Sequence, residues 1–130
     1  MNDAARKAID LALAGNVSVI GEIQGFTDEE LLAATASEQL ILSSVAVIKV
    51  LKDLADGVLE PQAVQSWASF VRNGIVGPHN YPVHPLLIEY DSEHEDAIAD
   101  AVARMDDIGD LIDGVLSNDE IARLAEDLAK

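Results

Sequence analysis

Three histidines, His79, His84 and His94, stand close in the chain to Glu89, Asp91, Glu93 and Glu95. Imidazole nitrogens beside carboxylate oxygens make a sensible ligand set for a transition metal, and the same pair can move a proton. Their spacing argues against both, because it matches neither paired ligands on one helix face nor a finger-like arrangement. A histidine among carboxylates then reads as a charged contact or the end of a turn.

The acidic run that holds Asp106, Asp107, Asp110 and Asp113 has the oxygen density of a calcium loop. Its glycines are in the wrong places. With Gly114 or Gly109 at the obligatory sixth loop position, the first ligand position falls on Gly109 or on Arg104. The chain contains no Gly-rich phosphate loop, no Gly-x-Ser-x-Gly elbow, no His-Glu-x-x-His and no Ser-x-x-Lys. With no cysteine, disulfides, thiolate metal sites and cysteine nucleophiles are excluded. The expectation is a protein without metal or cofactor that is not an enzyme.

What the carboxylates can do is attract cations. The chain has 24 acidic and 8 basic residues, for a net charge of −16. A phosphate backbone is repelled by such a field, so direct nucleic-acid binding is not expected. A basic protein surface is drawn in and meets it faster, although acidity also serves solubility alone. With 49% hydrophobic residues, the charge does not signal disorder.

Stepwise helix signals position these groups. Gly25, Gly57 and Gly114 each close one apolar periodic segment and open another, and glycine reaches the left-handed conformation that ends a helix while the apolar residue after it folds back. Thr27 with Glu30 and Ser117 with Glu120 fit a capping box, and Pro61 suits a first helical turn. The spacing predicts helices over Asp3 to Ala14, Thr27 to Ala36, Ser37 to Asp56, Pro61 to Arg72, Asp91 to Ile108 and Asn118 to Leu128. Asn16 to Gln24 fits helix or strand and leans to helix. Ser37 to Asp56 is apolar nearly all round, with Ile41, Val45, Ile48 and Leu51 on its densest side, and should be the buried centre. Between Asn73 and Tyr90 three prolines and two glycines point to one long loop, where Tyr81 and His84 are candidate contacts or simply part of a connection.

On the helix after that loop, Ile98, Val102, Met105 and Ile112 share one face, opposite Asp96, Asp100, Asp107 and Asp110. The acidic stripe reads as a solvated face or as a surface for a partner. Trp67 falls at helical spacing with Val64 and Phe70, which favours a core position over an interface anchor. The segments Leu54 to Trp67 and Leu111 to Leu124 are also weakly similar to each other, which shared capping physics explains more readily than duplication.

At 130 residues the chain is expected to form a single domain, residues 1–130, as an all-α bundle of five or six helices. Asp10 interrupts the apolar run after Arg6 and Lys7, which spoils a signal peptide. Gln39 to Ile48 is about half the length that crosses a bilayer. Neither a membrane span nor secretion is therefore expected, and the cytoplasm is the expected location.

The segment from Leu51 to Trp67, followed by an irregular stretch, an acidic helix and the segment from Ile112 to Ile121, resembles the small acidic helical immunity proteins of bacterial toxin systems, in particular the colicin D immunity-like group. The resemblance rests on turns and carries over no diagnostic residue, and this chain is longer at its amino terminus. It implies a protein that blocks a basic toxin by presenting carboxylates where the toxin takes nucleic-acid phosphates. The leading expectation is thus a cytoplasmic protein that neutralises a basic partner through Asp96, Asp100, Asp107, Asp110, Tyr81 and His84. The alternative is a structural or assembly subunit, able to form a homo-oligomer, that is acidic only for solubility. A metal-dependent enzyme using the histidine and carboxylate group comes third.

Overall fold

Alanine favours helix because it loses no side-chain entropy there, and α1 (Asp3–Leu13) is built on it. In the computed structural model, which describes residues 3–26, 28–35, 40–73, 88–108 and 116–129, Ala5, Ala8, Ile9 and Ala12 form the buried side of this helix. Arg6 pairs with Asp10 one turn on, at 3.0 Å. The helix ends as its sequence predicts: the Gly15 N–H donates to Ala12 O (3.1 Å) and the Asn16 N–H to Leu11 O (3.0 Å). Gly15 takes φ +92° to do so. The ambiguous segment that follows is helical, as one 3-10 turn (Val17–Val19) and the short α2 (Ile20–Gln24). After it comes α3 (Asp28–Thr35).

The long central segment does not form one helix. Leu40–Leu42 is a strand, β1, and the helix α4 spans Ser44–Ala55. Leu40 and Leu42 are buried while Ile41 is 47% exposed, the alternation of a half-buried strand. Ser43 then caps α4, its Oγ accepting from the Ala46 N–H at 3.2 Å. The strand turns Ile41 outward, and the face of α4 that enters the core is Ala46, Val47, Val50 and Leu51, whereas Val45 is 74% exposed.

α4 closes at Gly57, whose N–H donates to Leu54 O while that of Val58 donates to Asp53 O. Val58 does not fold back as expected but stands 69% exposed, and the half-buried Leu59 packs on the core instead. Gly25 ends α2 at φ −77°, without the left-handed turn expected of it. Gly114 and Thr27 lie outside the described residues, as does the capping box expected at Thr27.

α5 (Pro61–Asn73) leads towards β2 (Ile88–Tyr90), α6 (Glu95–Asp106) and α7 (Asn118–Leu128). β2 pairs in parallel with β1, in the register Leu40 with Ile88 and Leu42 with Tyr90. A parallel pair needs a crossover connection, which here contains α4 and α5. α5 packs chiefly on α6 and α4 on α7, so the pair α4 and α5, which follows β1, packs against the pair α6 and α7, which follows β2. The likeness between Leu54–Trp67 and Leu111–Leu124 therefore sits within matching strand, helix, helix sequences. Val64 and Trp67 occupy the core as their counterparts Ile121 and Leu124 do.

Trp67 is fully buried, and its indole N–H donates to Ala12 O at 2.8 Å, which ties α1 to α5. Residues from α1 through α7 form one contiguous buried cluster. Six helices of eight residues or more, with β1 and β2 as the only strands among the described residues, make the molecule an all-α bundle. Among the same residues no helix is long and apolar enough to cross a membrane.

Candidate partner-binding surface

The amphipathic pattern of α6 decides which of its side chains can meet a partner. Ile98, Ala101, Val102 and Met105 are buried, and their burial turns Asp96, Asp100 and Asp107 out to solvent. Asp110, Tyr81, His84 and His79, together with Ile112, lie outside the described residues.

The acids are unevenly spread. Fourteen of the 24 acidic residues fall within residues 89–127, where Arg104 and Arg123 are the only lysine or arginine. Arg104 is turned inward to join α6 to α7: its Nε donates to Glu120 Oε2 and its Nη2 to Glu120 Oε1 at 2.9 Å. This two-pronged contact holds the Glu120 carboxyl below the usual glutamate value of 4.5; desolvation opposes it, and the Arg104 and Arg123 charges add smaller help. The Glu120 carboxylate therefore does not complete a capping box. Only the Ser117 half forms, with Oγ accepting from the Glu120 N–H at 3.2 Å.

A second contact between helices engages the exposed Arg72 of α5, whose Nη1 lies 3.0 Å from Asp106 Oδ2. Gln65 donates to the other Asp106 oxygen at 3.2 Å. Neighbouring aspartates thus have different surroundings: Asp106 ties α5 to α6, while Asp107 is exposed with Arg104 Nη1 3.9 Å away. The half-buried Tyr90 lies near this pair. Burial pushes its hydroxyl above the usual 10.0, Arg72 opposes the shift and Asp106 adds to it.

The first turn of α6 and the last turn of α7 meet along a groove of about 360 Å³, lined by Ser92, Glu93, His94, Glu95, Asp96, Ala97 and Asp127. Glu95 and Asp96 occupy the helix end that favours negative charge. Glu126 and Asp127 occupy the end that disfavours it, and the last turn of α7 has no basic residue. Sequence spacing gave no sign of Asp127 here, because only the packing of α7 beside α6 brings it to the groove.

His94 is the N-cap residue of α6, and its Nδ1 is buried without a hydrogen-bond partner. Asp91 Oδ2 is 3.6 Å away, beyond hydrogen-bond length. Among the described residues no three His, Asp or Glu side chains are arranged to hold a metal ion. The groove thus gathers carboxylates from the start of α6 and from the last turn of α7.

Comparisons with family models, with curated proteins and with solved structures find no match to this chain.

Proposed function

We propose that this protein binds and neutralises a basic protein partner without catalysis, in the manner of a bacterial toxin immunity protein acting in the cytoplasm. The observation that carries the reading is the division of labour among charges on α6 and α7. Arg104 and Arg72 are engaged in ties between helices, to Glu120 and Asp106, while Asp96, Asp100 and Asp107 face outward along α6 and a groove at its start is edged by Glu93, Glu95, Asp96 and Asp127. A lysine or arginine entering that groove would meet several carboxylates and gain charge-assisted hydrogen bonds. The test is a low-salt pull-down with the whole chain: the reading requires a basic protein that elutes as salt rises, and it fails if nothing basic is retained.

A second reading, a structural or assembly subunit, draws on Ile41 and Val45, two large apolar side chains exposed at the junction of β1 and α4. Self-association through them would be insensitive to salt, which separates it from the first reading in the same experiment.

A further inference from the structure

We draw no further inference here: the strongest candidate, the carboxylate-lined groove between the first turn of α6 and the last turn of α7, belongs to the acidic surface already described, and nothing in the structure shows what covers it.

Discussion

The Trp67 indole N–H, on α5, donates a 2.8 Å hydrogen bond to the main-chain oxygen of Ala12 in the last turn of α1. One side chain thus fills the core between the helices and satisfies a carbonyl that a helix end leaves partly free. Trp67→Ala should cost about 3–5 kcal/mol by cavity formation, read from urea unfolding. Trp67→Phe keeps much of the volume and should lose less, chiefly the hydrogen bond. A loss below about 1 kcal/mol for the alanine variant would contradict this placement.

Gly15 and Gly57 both have positive φ, at 92° and 75°. They differ in their surroundings, since a Cβ at Gly15 would stand 2.8 Å from Ala46 O, whereas one at Gly57 meets nothing within 4 Å. Gly57→Ala should therefore cost only the left-handed conformation, about 1–2 kcal/mol. Gly15→Ala must also push α1 away from α4 and should cost clearly more. Equal losses in thermal or urea unfolding would mean that the two helices do not approach so closely.

Ser117→Ala should cost about 1 kcal/mol by removing the cap of α7. The Glu120 carboxylate goes to Arg104 and not back to the cap. The effects of Ser117→Ala and Glu120→Gln should accordingly add, while Arg104→Met and Glu120→Gln should be coupled in a double-mutant cycle. Coupling between Ser117 and Glu120 as strong as that with Arg104 would restore the reciprocal capping box.

Tyr90 and Glu120 contribute to the pH dependence of stability at opposite ends of the scale. Because folding lowers the Glu120 pKa, its contribution is present above 4.5 and is lost as pH falls below it, through the folded value. Glu120→Gln should flatten part of that acid limb. Folding raises the Tyr90 pKa, so stability should fall as pH rises above 10.0, where the unfolded chain releases its proton first. Tyr90→Phe should remove that alkaline loss, and an unchanged slope would show that Tyr90 is no less acidic folded than unfolded.

How far the fold could be read from the residues depended on where the decisive interaction lay. The helices α5, α6 and α7 follow local apolar spacing, and Val64, Trp67, Ile98, Val102, Met105 and Leu124 are buried as that spacing requires. β1 escaped because Leu40–Leu42 continues without a break into an apolar helix, and only pairing with Ile88–Tyr90, far along the chain, makes it a strand. Ser43, placed to cap a helix, was its one local sign. The outward stripe of Asp96, Asp100 and Asp107 was legible from periodicity. The link between Arg104 and Glu120 and the place of Asp127 in the groove were not, since both depend on how α7 lies against α6.

The central claim is that the outward carboxylates of α6 recognise a basic partner. Asp96, Asp100 and Asp107 lie opposite the core face, so replacing all three with Asn should leave unfolding almost unchanged and relieve some like-charge repulsion. The decisive measurement is the affinity of this folded variant, at low salt, for the basic protein that the unaltered chain captures. Association should weaken, with a slower on-rate and a shallower dependence on salt, and any carboxylate buried against the partner should add a loss of about 2–5 kcal/mol. A variant that stays folded and keeps the full low-salt affinity would show that the stripe serves solubility alone, and would overturn the account.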